Sequence, residues 1–331
     1  MGIKVQSREG ENFLFSFAES VESKVENGRV NIPSKLGTGY VLGFLSGNHL
    51  RMIVRHYELN EDVLIHRQVN SLPSNMIQFS FKNILKEEGV YKKRLLPSVT
   101  ISTLGLESEV TIPGNTSFNA INLAIQASYL KQLLEVDIDN TILKSIISNS
   151  QPLVFEQLVS AELQQIASEI TTKRVLVPLQ NFFYKLKAEE IICYLLMELM
   201  ERQDSNLQAV NITDIKALYA IRDKLISDLS EAPSLNELAA LGGMSESKLK
   251  RLFKQVFGNS LYEYFQTIRM KEAAYLLKQE KRTVSEVGYA LGFSNLSHFS
   301  RVFEEHVGMK PKKYSALKKG VSTGGKKQRW E

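Results

Sequence analysis

The sequence predicts an α+β chain in two parts: a β-rich N-terminal part carrying helices, and an all-α C-terminal part with two helix-turn-helix units. Three observations carry this. Short β-branched and aromatic runs parted by turn formers fill residues 1–126. Helical periodicity takes over beyond them. One helix-turn-helix pattern then occurs twice near the C-terminus.

Runs at 13–17, 40–45, 52–57, 63–68, 76–81, 98–103, 109–112 and 120–125 read as strands. Asn27-Gly28, Ser46-Gly47-Asn48, Pro73-Ser74-Asn75 and Pro113-Gly114-Asn115 punctuate them with residues that favour tight turns. Regular short strands of this kind predict an antiparallel sandwich or barrel.

Over 128–134, 141–148 and 152–170, apolar residues recur at three- and four-residue spacing and predict helices. The stretch 179–202 is apolar around most of its circumference, with Leu186, Ile191, Ile192, Tyr194, Leu195, Leu196, Leu199 and Met200. Such a helix needs burial on more than one side. A homodimer supplies the second side, which makes 127–205 a dimerisation segment with Leu195 and Leu199 at the contact; a plain core helix fits the same pattern. The polar stretch 203–211 reads as a linker, bounded at 206–213, and the C-terminal domain runs from 214 to 317.

Composition narrows the function. The chain has 331 residues, 43% of them apolar, enough for two ordinary domains and too apolar for a disordered chain. No apolar run approaches the ~20 residues that span a bilayer. The first residues hold no signal-peptide core, so a cytoplasmic protein without a membrane partner is expected. Cys193 is the only cysteine, which rules out an internal disulfide and a cysteine-rich zinc site. The net charge is +5, unevenly spread: from Asp214 onward 21 Lys and Arg meet 13 Asp and Glu, against 20 and 23 before it. The charge that attracts phosphate is thus concentrated in the C-terminal part, although a basic soluble domain without nucleic acid has the same balance.

The repeat is the most specific feature. Glu237, Gly243 and Ser245 match Glu286, Gly292 and Ser294 at an offset of 49; Leu249, Arg251, Phe253 and Gly258 match Phe299, Arg301, Phe303 and Gly308 at an offset of 50. The second unit has gained one residue between its helices. Leu235, Leu238 and Ala239 give the first short helix an apolar face, and small Ala239 and Gly288 let paired helices approach closely. Gly243 and Gly292 stand where the chain reverses and positive φ is needed. Ser245 and Ser294 are placed to cap the second helices. There Leu249, Leu252, Phe253 and Val256 face inward, leaving Ser247, Lys250, Arg251 and Lys254 outside. In the second copy Phe299, Val302 and Phe303 turn inward, leaving Ser297, His298, Ser300 and Arg301 outside. Short polar side chains beside an arginine suit base edges and phosphates in a major groove.

Residues 261–279 join the copies as an amphipathic helix roughly 28 Å long at ~1.5 Å per residue. Recognition helices on one face of a duplex stand roughly 34 Å apart. A single hairpin of this pattern is also a common structural device; two with a helical spacer in a basic segment favour double-stranded DNA as partner.

Residues 215–317 resemble the DNA-binding domain of the AraC/XylS family of bacterial regulators. The stretch from Ala290 to Gly308, with Pro311 and Tyr314, lies close to the family signature, and Leu238–Ser245 with Leu249, Arg251, Phe253 and Gly258 also fits. The resemblance puts base-reading positions at Ser247, Lys250 and Arg251, and at Leu296, Ser297, His298, Ser300 and Arg301. Ser247 and Leu296 depart from the larger or amide side chains common there, so the bases read do not carry over. The resemblance also implies a cupin-like N-terminal sensor for an unknown small-molecule effector, a homodimer, and activation through RNA polymerase. The order of elements at 130–134 and 179–200 more distantly resembles the siderophore-sensing members of the family. The segment 203–211 is the natural pivot for a ligand response.

Other chemistry finds little support. His49, His56 and His66 fall on predicted strands without a His-x-His pair, so no metal site is expected. His306 reads as surface, and Cys193 as a small apolar residue of the helix. There is no phosphate-binding glycine loop and no nucleophile elbow, so neither a catalytic residue nor a cofactor is expected. Asp214, Asp223 and Asp228 read as solvated or packed. The tail, 318–331, reads as basic and flexible. Two alternatives stay open: a ligand-independent DNA-binding regulator whose N-terminal domain only dimerises, and an enzyme with a DNA-targeting tail.

Overall fold

The computed structural model describes residues 3–7, 13–67, 75–84, 97–103, 108–134, 139–202 and 207–317. The expected tail, 318–331, lies outside them, as do residue 68 and the side chain of His66. The chain divides into two compact units, Met1–Asn211 and Ile212–Glu331. The first is an α+β unit and the second is all-helical.

The first unit opens with β1 (Ile3–Ser7) and α1 (Phe13–Ser20), followed by β2 (Arg29–Asn31), β3 (Gly37–Ser46), β4 (Leu50–Leu59), β5 (Val63–Arg67), β6 (Met76–Lys82), β7 (Ser98–Ser102), β8 (Ser108–Ile112) and β9 (Ser117–Gln126). After α2 (Ala127–Leu134) and α3 (Thr141–Ser148) the chain returns as β10 (Val154–Leu158), then forms α4 (Ala161–Thr172) and α5 (Gln180–Met200). Seven strands form one antiparallel sheet in the order β10-β7-β6-β9-β4-β3-β2, and β1-β5-β8 form a second. Only β1 and β5 run parallel among the described pairs.

Period-two alternation sends the two faces of the large sheet to different surroundings. Met52, Val54, Phe79, Ile121 and Leu123 point to a core shared with α2, α3, α4 and α5. Val41, Tyr57 and Leu59 join Phe17 of α1 and Val5, Val63 and Ile112 of the small sheet in a separate core. Polar side chains fill much of the rest of that second face.

Two expected elements are replaced. Residues 13–17 form a helix rather than a strand. Phe13 and Phe17 stack at 5.8 Å, while Phe15 remains 60% exposed. The alternation of three phenylalanines mimics a strand, but Leu14, Phe17 and Ala18 are the buried apolar residues, which is helical spacing. Residues 152–170 are not one helix: Val154–Leu158 pair antiparallel with β7, with Phe155 opposite Ile101. Because β10 closes the sheet's edge, residues 1–126 and 127–205 fold together in one unit. Within the expected linker, Val210 is buried and its N–H donates to Pro152 O at 3.0 Å.

The second unit holds α6 (Ile212–Ser227), α7 (Leu235–Leu241), α8 (Glu246–Phe257), α9 (Leu261–Lys278), α10 (Val284–Ala290), α11 (Leu296–Val307) and α12 (Pro311–Ala316). α7 with α8, and α10 with α11, are the two expected hairpins. The spacer helix α9 contacts α6 and α8 as well as α10, α11 and α12.

Candidate nucleic-acid interface

Each hairpin is fixed first by its caps. Ser234 and Glu237 form a capping box at the start of α7, and Thr283 and Glu286 form another at α10. Ser260 and Glu263 do the same for α9. In all three the glutamate accepts from the capping residue's backbone N–H, which holds its carboxyl below the usual range.

The turns then aim the second helices. Gly243 and Gly292 adopt φ of +58° and +74°. Gly292 has a second constraint, since a Cβ there would lie 1.9 Å from Ser230 O. Gly288 admits Leu296 and Phe299: a Cβ would come within 2.6 Å of Leu296 Cδ2. Ser245 caps α8 by accepting from Lys248 N–H at 3.3 Å. The α11 cap is Asn295, not Ser294: its Oδ1 accepts from the N–H groups of Ser297 at 2.8 Å and His298 at 3.1 Å. The inserted residue therefore lies ahead of the cap, which moves the cap from Ser294 to Asn295.

Both second helices carry a buried face and an open one. Leu249, Leu252, Phe253 and Val256 of α8 are buried. Phe253, Phe257 and Tyr264 gather into an aromatic cluster there. Ser247, Lys250, Arg251 and Lys254 lie exposed on the opposite side. In α11, Phe299, Val302 and Phe303 are buried, while Ser297, His298 and Arg301 are exposed. Leu296 and Ser300 are half-buried, and Leu296 spends its side chain over Gly288. The His298 ring stands edge-on to Phe293 at 5.6 Å.

Arg269 of α9, absent from the sequence reading, secures the second hairpin. It is only 8% exposed. Its Nε donates to Leu291 O at 2.7 Å, and its guanidinium lies 4.0 Å from the Phe293 ring centre. It thereby satisfies a carbonyl at the end of α10 and ties the turn to the spacer. An arginine four residues from Phe265, amid buried Ile268, Met270 and Ala273, was the available signal. Asp214 pairs with Lys248 at 2.7 Å, Asp223 with Arg222 at 2.7 Å, and Asp228 accepts from Ser230, so all three have structural partners.

The other singled-out residues fall elsewhere. Leu195 and Leu199 are fully buried in their own unit's core and present nothing to a partner. The open stripe of α5 instead carries Phe182, Leu186, Tyr194, Met197 and Met200, all at least 41% exposed. Cys193 is exposed on that stripe rather than inside the core. His56 bonds to Asn119, and the ring of His49 lies 4.2 Å from that of Tyr129. His306 bonds to Val302 O at 2.9 Å.

Residues 238–316 match the family described as a helix-turn-helix domain. Over 124 residues the chain is 34% identical to the regulatory protein PchR of Pseudomonas aeruginosa, covering 37% of this chain and 42% of that protein. It is 31% identical over 96 residues to the transcriptional activator RhaR of Klebsiella pneumoniae, covering 28% of this chain and 34% of that protein. The chain thus spans less than half the length of either relative. A transcriptional regulator from Chromobacterium violaceum with an AraC-type DNA-binding domain aligns at 29% identity, with a TM-score of 0.30, over 32% of this chain and 95% of that one. Residues 238–316, within the C-terminal unit, are a helix-turn-helix domain.

Proposed function

We propose that the protein is a sequence-specific transcription regulator that reads two successive major grooves, one with α8 and one with α11. The observation that carries this reading is a single spacer helix holding two capped hairpins, each with an open polar and basic stripe. At ~1.5 Å per residue the 18 residues of α9 span about 27 Å, in keeping with recognition helices one duplex turn apart. Ser247, Lys250, Arg251 and Lys254 serve the first groove; Ser297, His298, Ser300 and Arg301 serve the second. Leu296 contributes at most the edge of its side chain, because it packs on Gly288.

The N-terminal unit is the sensing unit in this reading, and its small-molecule effector shifts the whole protein between two DNA-binding states. Two copies assemble through the α5 stripe of Phe182, Leu186, Met197 and Met200, an apolar surface that water disfavours. Activation through RNA polymerase fits the naming of RhaR as an activator.

The test is a genome-wide footprint of the bound protein, repeated with Arg251→Ala plus Arg301→Ala. Discrete sites that vanish in the double variant support the reading. Diffuse binding, equal in both proteins, overturns it.

A further inference from the structure

The large sheet's second face carries buried donor atoms that have no hydrogen-bond partner among the described residues. Arg51, Ile53, Arg55 and Tyr57 share that face of β4, since Met52 and Val54 point into the helical core. The Nε atoms of Arg51 and Arg55 are buried without a hydrogen-bond partner, and so is the Tyr57 hydroxyl. The Arg55 guanidinium lies over the Phe13 ring, whose centre is 4.3 Å away, and interacts electrostatically with Tyr57. Burial lowers the Arg55 pKa and raises that of Tyr57.

Register brings a further donor to the same place. Asn122 of β9 lies opposite Ile53, between the two arginines, and its Nδ2 is buried and unpaired. Its Oδ1 is occupied, accepting from Ser80 Oγ at 3.1 Å. Small Ala120 and Ala124 stand opposite Arg55 and Arg51. Among the described residues of the large sheet's strands, the acid on this face is Glu156 of β10, four strands from β4 and roughly 19 Å away at the usual strand spacing. It already accepts from Thr100 at 3.3 Å.

An arginine keeps its charge under any ordinary condition, and a buried donor requires an acceptor. Arg51 Nε, Arg55 Nε and Asn122 Nδ2 are three such donors without an acceptor among the described residues, and the two guanidinium charges favour an anion as that acceptor. Ile53, Tyr57, Phe13 and Phe118 around it favour an apolar body behind that anion.

We propose that this face of β4 and β9 binds an effector bearing a carboxylate, held by Arg51 and Arg55 and donated to by Asn122. This deepens the ligand-response reading above and rests on it for the consequence at DNA, not for the binding itself.

The test is thermal unfolding of the full chain in acetate, benzoate and octanoate, each against its primary amide at matched ionic strength. At least one acid raises the transition over its amide, by roughly 2–4 °C for each factor-of-five excess over the dissociation constant. The increment disappears in Arg51→Met plus Arg55→Met, which without acid melts at or above the wild type because two buried donors without an acceptor are gone. Should that variant not fold, Asn122→Ala and Arg51→Gln singly serve, each shrinking the increment. The proposal is overturned if no acid exceeds its amide, if the variants keep the increment, or if the double Met variant melts far below wild type without acid. Operator affinity, measured alongside, separates the two readings. An arginine-dependent acid shift without any change in DNA affinity keeps the site and sinks the ligand response. Equal changes in DNA affinity with acids and amides keep the response and sink the anion site.

Discussion

Arg269 and Arg301 are both arginines on helices of the second unit, yet their surroundings give them different work. Arg301 is exposed on α11 and free to meet a base or a phosphate. Arg301→Ala is expected to cost about 1–3 kcal/mol at the specific site and to relax specificity at one position. Lys254→Ala is expected to weaken all sequences alike and to reduce the salt dependence of binding, as titrations at several salt concentrations will show. Arg269 is buried against Leu291 O and Phe293, so Arg269→Met is expected to destabilise the second unit by about 1.5–3 kcal/mol. Urea unfolding measures it, and unaltered stability contradicts the pinning role. The open stripes of α8 and α11 were legible in the sequence because one face of each helix repeats apolar residues every three or four positions. Arg269 was not, because its partner is a backbone carbonyl that only the folded turn places beside it. Leu195 and Leu199 were misplaced for a related reason: periodicity marks an apolar face but not which neighbour covers it.

At the scale of elements, the capping boxes and turns could be read almost directly, since Ser or Thr followed three residues later by Glu is a local code. The cap of α11 was missed by one position, because an inserted residue put both Ser294 and Asn295 within reach. Strands were less secure. Five residues of β10 fit helical spacing as well as they fit a strand, and pairing with β7 decides between them. The capping glutamates make a pH prediction. Glu237, Glu263 and Glu286 have folded pKa values below the ordinary 4.5 because their carboxylates accept hydrogen bonds. Their contribution is therefore complete above pH 4.5 and is withdrawn as the pH falls through the lowered values. Replacing all three with Gln is expected to flatten the acid limb of stability between about pH 5 and pH 3, read from urea midpoints. On α5, Phe182→Glu with Met197→Lys is expected to give monomers by light scattering; a surviving dimer places the contact on another surface.

For the whole molecule, the division of labour follows from two independent cores. The helical core around α5 closes one face of the large sheet, and a separate aromatic core of Phe293, Phe299 and Phe303 builds the second hairpin. The sequence made the two-part plan visible, since strand alternation, helical periodicity and the repeat occupy different segments. It did not reveal that β10 re-enters the sheet and makes 1–211 one unit, because that depends on a pairing between distant residues.

Two hairpins reading DNA in tandem leave a two-part sequence preference, which selection of bound sequences from random duplex DNA by the full chain reads out. The expected motif has two parts centred about 10–10.5 base pairs apart. Arg251→Ala should erase information in one part and Arg301→Ala in the other. A single short motif untouched by one of these substitutions, or no enrichment at all, would contradict it.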